Sequence, residues 1–301
     1  MAPPWTAALL RVMPEVNDVI DNPFSHGALK LKQRYQLGKK LRAAQYDQAV
    51  VLPNSFKSAL VPFFACIPLR TGFIGEQRYL LLNDVRKLDK TALPLMVERF
   101  AQLAEDGQDK LPRPLPDPEL KISVAQRDAT LSKLGLILDK PVVAFCPGAE
   151  YGPAKRWPAR YFAEIARRLR QNGCVVWLIG SGKDKPVADE INRLADENCI
   201  NLCGSTDLVD AAALLSCAKF VVSNDSGLMH LAAALNRPMV ALFGSSSPQF
   251  TPPLSGQAHV ARPDIECSPC FKRECPLEHF NCMEQLTPDF VWEKFIAQTF
   301  R

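Results

Sequence analysis

Short apolar segments alternate regularly with helical segments between residues 142 and 243, and this pattern limits the fold to few classes. The apolar segments predict strands at residues 142–145, 174–179, 200–202, 220–222 and 239–243. The segments between them predict helices at residues 160–171, 186–197, 208–218 and 228–235. Strands separated by helices pair in parallel, because the chain crosses over before it returns to the sheet. This half of the chain is therefore predicted to be a doubly wound α/β domain.

A second, less regular series of strands and helices comes before it. Residues 5–103 predict a helix, strand 18–21, a basic helix, strand 48–53, helix 56–66, short strands near Arg70 and Leu81, and helix 93–103. Residues 106–118, DGQDKLPRPLPDP, are rich in proline and charge and indicate a linker. We therefore predict an N-terminal domain with its linker at residues 1–118 and a C-terminal domain at residues 119–301.

Length and composition are those of a globular protein. The chain has 301 residues, of which 47% are hydrophobic and 23% charged, enough for two domains that each bury a core. The longest apolar run, residues 60–69, contains Pro62 and Pro68 and is far shorter than the roughly 20 residues of a membrane-spanning helix. The first residues lack the basic region and cleavage site of a signal peptide. We therefore expect a cytoplasmic protein.

The ten cysteines form two groups. Six lie in apolar strand or helix patterns, where a reduced thiol acts as a small hydrophobic group; they are Cys66, Cys146, Cys174, Cys199, Cys203 and Cys217. The other four lie with His279 in CSPCFKRECPLEHFNC and are Cys267, Cys270, Cys275 and Cys282. These four could bind a structural zinc ion, but their spacing does not match a standard zinc ribbon. Reduced thiols or a labile disulfide are also compatible with it.

The segment FVVSNDSGLMHLAAAL, residues 220–235, predicts a turn between a buried strand and an apolar helix. The carboxyl end of a strand faces ligands in an open α/β sheet, and the N–H groups of Ser226 and Gly227 at the helix N-terminus attract anions. A carboxylate beside a bound phosphate would repel it. Asp225 therefore either caps the helix, binds a hydroxyl or backbone group, or positions a neighbour. His230 is either a core histidine or part of the same site.

A second strand-to-helix turn reads FCPGAEYGPAKRWPARYF. Gly148 and Gly152 allow another backbone to approach closely, and Lys155 and Arg156 bring positive charge. A single loop of this kind is often a plain surface connection. Two such turns at one edge of the same sheet, however, predict a binding site for a nucleotide diphosphate.

The loop LIGSGKDK follows the strand predicted at residues 174–179. It has neither the third glycine of a dinucleotide-binding motif nor the upstream glycine and the Ser or Thr of a P-loop. Both functions are therefore excluded for this loop. Ser181 or Asp184 could still contact a ribose from this position.

Two features of the N-terminal half could contact an acceptor or an anionic partner. Asn54, Ser55 and Lys57 follow a predicted strand, and they either hold an acidic acceptor or, for Asn54 and Ser55, cap the next helix. Residues 29–46 contain basic side chains and no acid, which favours an anionic partner, although a solvated helix face has the same pattern. The basic residues are Lys30, Lys32, Arg34, Lys39, Lys40 and Arg42.

Four segments, PGAEYGPAKRWP, SNDSGLMHLAAALNRPMVALFGSSSP, LPNSFKSALVPFF and CSPCFKRECP, together resemble the ADP-heptose:lipopolysaccharide heptosyltransferases of glycosyltransferase family 9, most closely those of type II. The resemblance covers nearly the whole chain. It implies an α/β fold of the GT-B class, in which two Rossmann-like domains face each other across a cleft. It also implies transfer of L-glycero-D-manno-heptose from ADP-heptose to the inner-core heptose of nascent lipopolysaccharide, with inversion and without a metal or other cofactor.

The resemblance also implies roles for individual residues. Lys155 matches the lysine that neutralises the departing diphosphate. Asp225 matches the donor-site aspartate and would organise its turn and the contacts to sugar hydroxyls, while Ser226 and Gly227 would donate N–H groups to phosphate. His230 would support this site from one turn inside the helix. The remaining expected contacts are Gly148 and Asp184 for the donor and Asn54, Ser55 and Lys57 for the acceptor.

The chain departs from the family pattern at its start. Family members begin with a strand and a glycine-containing turn, whose aspartate is thought to act as the general base on the acceptor hydroxyl. This chain begins at MAPPW, which resembles the interior of the next unit. We therefore expect an incomplete first domain and, without that carboxylate, transfer that is slower by about 10²–10⁴-fold.

Three other functions stay open. A truncated relative could bind the ADP-sugar without turning it over, and a sugar-nucleotide epimerase would need catalytic carboxylates that the sequence does not reveal. A zinc-dependent nucleic-acid binder would need bound metal and salt-sensitive DNA binding. We expect ADP-heptose and nascent lipopolysaccharide as partners and no nucleic acid. The basic segment could contact a phosphorylated core sugar or anionic lipid of the inner membrane, and the sequence does not decide between them.

Overall fold

The computed structural model describes residues 1–25, 27–106 and 111–300. The chain divides into two compact units, which we call the large and the small unit. The large unit consists of Met1–Asn22, Asp117–Pro248 and Pro252–Arg301, and the small unit of Pro23–Pro116 and Gln249–Thr251.

The strands and helices are numbered in chain order. The strands are β1 (Gln48–Val50), β2 (Leu69–Phe73), β3 (Asp84–Arg86), β4 (Val142–Cys146), β5 (Val175–Leu178), β6 (Cys199–Asn201), β7 (Phe220–Asn224), β8 (Met239–Leu242) and β9 (Ala258–Ala261). The α-helices are α1 (Pro4–Leu10), α2 (Leu31–Leu41), α3 (Leu60–Phe64), α4 (Met96–Gln102), α5 (Val124–Leu134), α6 (Ala159–Gln171), α7 (Lys185–Leu194), α8 (Leu208–Cys217), α9 (Gly227–Ala234), α10 (Asn281–Glu284) and α11 (Pro288–Val291). Short 3₁₀ segments lie at Arg42–Ala44, Phe56–Ala59, Pro153–Lys155, Gly182–Asp184 and Ala297–Phe300, and a π-helical turn lies at Trp292–Ile296.

The large unit is built on a parallel six-stranded sheet in the order β6-β5-β4-β7-β8-β9. The first strand in the chain, β4, lies in the middle, with β5 and β6 on one side and β7 to β9 on the other. The strand order therefore reverses between β4 and β7. In open α/β sheets, the carboxyl ends of the strands at such a reversal form the usual place for a ligand.

Alternate residues of these strands face two separate cores. Val143 and Phe145 face the core that includes residues of α6, α7 and the C-terminal helices. Ala144 and Val221 face the other core, which includes residues of α8 and α9. Because helices cover both faces of the sheet, its strands are apolar on both sides, and this produces the continuous apolar segments of the sequence.

Residues 1–22 pack with the large unit, which differs from the predicted division at residue 118. Helix α1 packs against α8, and Leu9, Val12 and Met13 lie against the core on that face of the sheet. A helix of seven residues is too short to bury a core of its own, so it gains stability by completing this one. Instead of the strand predicted at residues 18–21, only an isolated bridge joins Ala2 to Asp21.

The small unit contains a parallel sheet in the order β1-β2-β3. Its third strand lies a few residues after the predicted position, because Leu81 is buried in the turn that precedes β3. Helix α2 packs tightly on α3 at Gly38, where an added Cβ would overlap the side chain of Phe64. This contact holds the basic helix against the rest of the unit.

Most of the predicted elements of the large unit are present, with ends that differ by a few residues. Helix α5 and strand β9 were not predicted, because they are short or weakly apolar. Residues 107–110 of the predicted linker lie outside the described residues. No helix formed by the described residues is long and apolar enough to cross a membrane.

Candidate active site

The site lies where the sheet order reverses, in the turns that follow β4 and β7. The turn after β4 leads through the 3₁₀ segment Pro153–Lys155 into α6, and the turn after β7 leads through Asp225 and Ser226 into α9. The two strands are hydrogen-bonded neighbours, so their turns share one edge of the sheet. The two turns that the sequence singled out are therefore adjacent in space.

Lys155 and Asp225 form a largely buried ion pair across these turns. Lys155 Nζ donates to Asp225 Oδ2 at 2.5 Å, and only 17% and 5% of the two side chains are exposed. Ser246 Oγ, from the turn after β8, donates to the same oxygen at 2.5 Å. Asp225 thus positions the ammonium group, and Ser246 in turn positions Asp225.

The capping interpretation of Asp225 is wrong. The N-cap residue of α9 is Ser226, and its side chain makes no hydrogen bond to the first turn of the helix. Ser226 Oγ is buried without a hydrogen-bond partner among the described residues, and so is Ser245 Oγ in the turn after β8. The N–H groups at the start of α9 and a buried hydroxyl thus remain available to an anion, which the helix dipole would stabilise.

His230 lies one turn into α9 and is exposed. The protein packed around the imidazole lowers the pKa of His230 below its ordinary value; the carboxylate of Asp225 opposes this effect and the ammonium of Lys155 adds to it. The imidazole is therefore neutral near pH 7 and close to the ion pair. Its predicted role toward a diphosphate stays a prediction.

Asn224 fixes the two turns to each other, which the sequence analysis did not foresee. Its Nδ2 donates to the carbonyl of Pro147 at 2.7 Å, and its Oδ1 accepts from the backbone N–H of Trp157 at 3.1 Å. The side chain is fully buried. A buried amide with both ends satisfied keeps the loop before α6 in one conformation.

Gly148 and Asp184, both predicted donor contacts, lie against each other. An added Cβ on Gly148 would overlap the Asp184 carboxylate, so a larger residue there would displace that carboxylate. Asp184 Oδ2 accepts from Ser181 N at 2.9 Å and from Ser181 Oγ at 2.7 Å, which closes the loop after β5. Asp184 is thus engaged within its own loop, and its contact to a ribose stays a prediction.

The predicted acceptor residues lie in the small unit, in the turn between β1 and α3. Arg78, fully buried, holds this turn by donating to the carbonyl of Pro53 at 2.6 Å, to Ser58 Oγ at 3.0 Å and to Asn54 Oδ1 at 3.3 Å. Ser55 is the N-cap of the 3₁₀ segment but makes no capping hydrogen bond. Helix capping therefore does not account for Asn54 and Ser55, and their role toward an acceptor stays a prediction, as does that of Lys57.

The four C-terminal cysteines do not form a metal site in this structure. Among the described residues, no three His, Cys, Asp or Glu side chains are placed to share a metal ion. Burial raises the pKa of Cys282 to about 11, and the neighbouring Cys267, Cys270 and Cys275 add to this effect. The Cys282 thiol is therefore protonated at neutral pH. All ten cysteines are free.

Burial of the first group of cysteines agrees with the sequence pattern for five of the six. Cys146, Cys174, Cys199 and Cys203 are buried and Cys217 is half-buried. Cys66 is exposed; it follows the end of α3 and has a positive φ of 56°.

Comparison with known proteins identifies the family. A model of glycosyltransferase family 9 (heptosyltransferase) matches residues 34–281, which is most of the chain. The chain belongs to glycosyltransferase family 9. Its predicted fold class, α/β with Rossmann-like parallel sheets of the GT-B type, is confirmed by the sheets and by solved members of this family.

Two relatives show how similar this chain is to other heptosyltransferases. It is 50% identical to lipopolysaccharide heptosyltransferase 2 of Escherichia coli K12, over 99% of this chain and 88% of that protein. It is 49% identical to lipooligosaccharide heptosyltransferase 2 of Haemophilus influenzae, over 87% of this chain and 78% of that protein. The solved E. coli ADP-heptose lipopolysaccharide heptosyltransferase II superposes with a TM-score of 0.87 at 46% identity, covering 99% of this chain and 88% of the other.

Proposed function

We propose that this family 9 enzyme transfers L-glycero-D-manno-heptose from ADP-heptose to the inner-core heptose of lipopolysaccharide, with inversion at the anomeric carbon. The observation that carries the proposal is the Lys155–Asp225 pair beside the uncapped N-terminus of α9, where the sheet order reverses. The relatives supply the substrate class, because they are heptosyltransferases and one is named for ADP-heptose.

Heptose transfer from ADP-heptose is favoured by positive charge near the ADP leaving group. As the glycosidic bond to ADP breaks, negative charge grows on the diphosphate. The Lys155 ammonium would neutralise part of that charge, and the N–H groups of Ser226 and Gly227 would bind phosphate oxygens. Asp225 would keep Lys155 in place during this step and contact sugar hydroxyls. Gly148, Asp184 and His230 would complete the donor site.

We propose that this charge stabilisation replaces a divalent metal ion. A lysine and a helix N-terminus together can supply the electrostatic stabilisation that a metal supplies in other transferases. Transfer should then continue at an unchanged rate after dialysis against EDTA. A rate that falls with EDTA and returns with Mg²⁺ would show that a metal takes part.

We propose that Asn54, Ser55 and Lys57 bind the acceptor. The buried Arg78 holds the turn that carries them, by donating to the carbonyl of Pro53 and to Asn54 Oδ1, while Asn54 stays exposed and Ser55 and Lys57 are half-buried. Replacing Lys57 with Ala should raise KM for the acceptor several-fold and leave KM for ADP-heptose unchanged. Equal changes in the two constants would contradict an acceptor role.

We propose that the protein works in the cytoplasm and contacts the inner membrane through α2. Arg34 is buried and donates to backbone carbonyls of its own unit, so it is not part of the basic surface. Lys30, Lys32, Lys39 and Lys40 remain exposed and attract anionic headgroups. Sedimentation with vesicles containing phosphatidylglycerol, but not with phosphatidylcholine vesicles alone, should recover the protein, and less so after Lys39→Gln and Lys40→Gln.

The decisive assay combines ADP-heptose with a lipopolysaccharide precursor that carries a single inner-core heptose. We expect release of ADP and a gain of one heptose in the mass of the acceptor. A precursor without heptose serves as the control and should not react. Binding of ADP-heptose without any product would instead establish the binding-only alternative, and no binding at all would refute the donor site.

A further inference from the structure

The cysteine-rich segment crosses the turn that carries Lys155. We call residues 271–273 the strap. The backbone N–H of Phe271 donates to the carbonyl of Ser245 at 2.7 Å, and the carbonyl of Phe271 accepts from Tyr151 Oη at 2.8 Å. The carbonyl of Arg273 accepts from the N–H of Ala154 at 3.0 Å. The strap thus joins the turn after β8 to the turn after β4 through backbone atoms.

Gly152 permits this close approach. An added Cβ at this position would overlap the carbonyl oxygen of Arg273. The backbone of Arg273 is therefore held against the 3₁₀ segment that ends at Lys155, whatever side chain Arg273 carries. Backbone atoms of the strap make these contacts, so the Arg273 side chain is not needed to hold the strap in place.

Two cations contact the ring of Tyr151. Lys155 Nζ lies 5.2 Å from its centroid and the guanidinium carbon of Arg273 lies 5.3 Å from it. In the described part of the chain, no carboxylate forms an ion pair with Arg273, whereas the charge of Lys155 is matched by Asp225. Arg273 therefore brings an unmatched positive charge to the edge of the site. A cation–π contact with an exposed ring orients that charge but does not neutralise it.

We propose that Arg273 is a further binding residue for the diphosphate of the donor, oriented by the ring of Tyr151. The diphosphate of an ADP-sugar brings two negative charges to a site whose own lysine is already paired. Arg273 supplies a positive charge on a planar group with several N–H donors, which suits phosphate oxygens. The proposal rests on the proposed function, since it assigns a ligand to the same donor site.

Titration calorimetry with ADP and with AMP tests this proposal. Arg273→Gln should weaken ADP binding by about threefold to tenfold, as expected for an exposed charge-assisted contact, and change AMP binding by less than about twofold. Lys272→Gln is the matched control, because Lys272 is the neighbouring exposed cation and has no contact to Tyr151. It should leave both affinities nearly unchanged.

The outcomes separate this inference from the proposed function. If the unaltered protein binds neither ADP nor ADP-heptose, the proposed function fails. If it binds ADP and Arg273→Gln behaves like Lys272→Gln, or weakens ADP and AMP equally, only the role of Arg273 fails. An unchanged melting temperature of the Arg273→Gln protein would show that lost affinity does not come from lost structure.

Two changes at Tyr151 test the orienting role of its ring. Tyr151→Phe keeps the ring and removes the hydrogen bond to the strap, so ADP affinity should stay within about twofold. Tyr151→Leu removes the ring and should weaken ADP binding. Combined with Arg273→Gln, it should produce less than the product of the two single losses, because the residues act as a unit. Independent, multiplicative losses would contradict an orienting role of the ring.

Discussion

At the scale of single residues, the site is organised around one carboxylate. Asp225 accepts from Lys155 and from Ser246 through the same oxygen, so it is a positioning group before any ligand binds. A lysine held in this way loses little conformational freedom when the diphosphate arrives, and its charge acts where charge develops.

Lys155→Gln should lower kcat for heptose transfer by about 10²–10³-fold, because the leaving group loses its cation. Lys121→Gln is a suitable control, since Lys121 forms an exposed ion pair with Glu119. Steady-state rates measured at saturating ADP-heptose compare the two variants. Similar rates for both would remove Lys155 from the reaction.

Replacing Ser246 with Ala should have a smaller effect of the same kind. The carboxylate of Asp225 keeps Lys155 but loses one of its two fixed donors, so Lys155 is held less well. We expect kcat to fall by roughly threefold to tenfold, the equivalent of one ordinary hydrogen bond. Ser255→Ala, which removes an exposed hydroxyl that bonds Asn236, should leave kcat unchanged.

His230 should make donor binding depend on pH. Its lowered pKa keeps it neutral in the free protein near pH 7, and a bound diphosphate would raise that pKa by adding negative charge. Binding then takes up a proton, so the affinity for ADP-heptose should rise as the pH falls from about 8 to about 5.5. ADP-heptose suits this measurement because its diphosphate does not titrate in that range.

His230→Asn should flatten this pH dependence while leaving binding measurable at high pH. Affinities of the two proteins measured by calorimetry across the range decide the point. A slope that is the same in both proteins would assign the effect to another group.

Several site residues could be predicted from the sequence because they lie in a turn between a predicted strand and the next helix. Lys155, Asp225 and Ser226 lie in such turns, and the parallel sheet brings these turns together. Ser246 also follows a strand end, in GSSSP after β8, and the same reasoning could have found it. Asn224 and Arg273 were not predictable, because their roles depend on contacts to residues far away in the sequence.

At the scale of elements, the site depends on segments that approach more closely than most side chains allow. Gly148 packs on Asp184 and Gly152 packs on the strap. The continuous apolar strands and amphipathic helices of the large unit were predictable, since their patterns are long and regular. Short segments such as β9 were not predictable, because four residues, three of them with small apolar side chains, do not form a clear strand pattern.

Gly152→Ala should displace the strap from the turn that carries Lys155. The new methyl group overlaps the Arg273 carbonyl, and the hydrogen bond from Ala154 N to that carbonyl should break. We expect KM for ADP-heptose to rise by about tenfold, the equivalent of a buried hydrogen bond lost together with a shifted backbone. Gly182→Ala is the control, because an added Cβ there meets no neighbouring atom within 4 Å.

At the scale of the whole molecule, the N-terminal 22 residues belong to the large unit. This assignment could not be predicted from the sequence. The proline-rich segment at residues 106–118 predicts two consecutive domains that the chain connects only once. The apolar residues of α1 do not indicate which helix they pack against. The contact of α1 with α8 is seen only in the three-dimensional structure.

Leu9→Ala should therefore destabilise the large unit by roughly 1 kcal/mol, as expected for a half-buried leucine. Hydrogen exchange should become faster in α8, which contacts α1, and stay unchanged in the small unit. Trp5→Ala is the matched control in the same helix, because Trp5 is 69% exposed. Faster hydrogen exchange in the small unit instead would support the predicted N-terminal domain of residues 1–118.

The diphosphate of an ADP-sugar is expected to bind where the sheet order reverses between β4 and β7. A crystal structure of the protein with ADP tests it most directly. We predict phosphate oxygens within hydrogen-bond distance of Lys155 Nζ and of the N–H groups of Ser226 and Gly227. A diphosphate bound anywhere else on the protein would rule out this site.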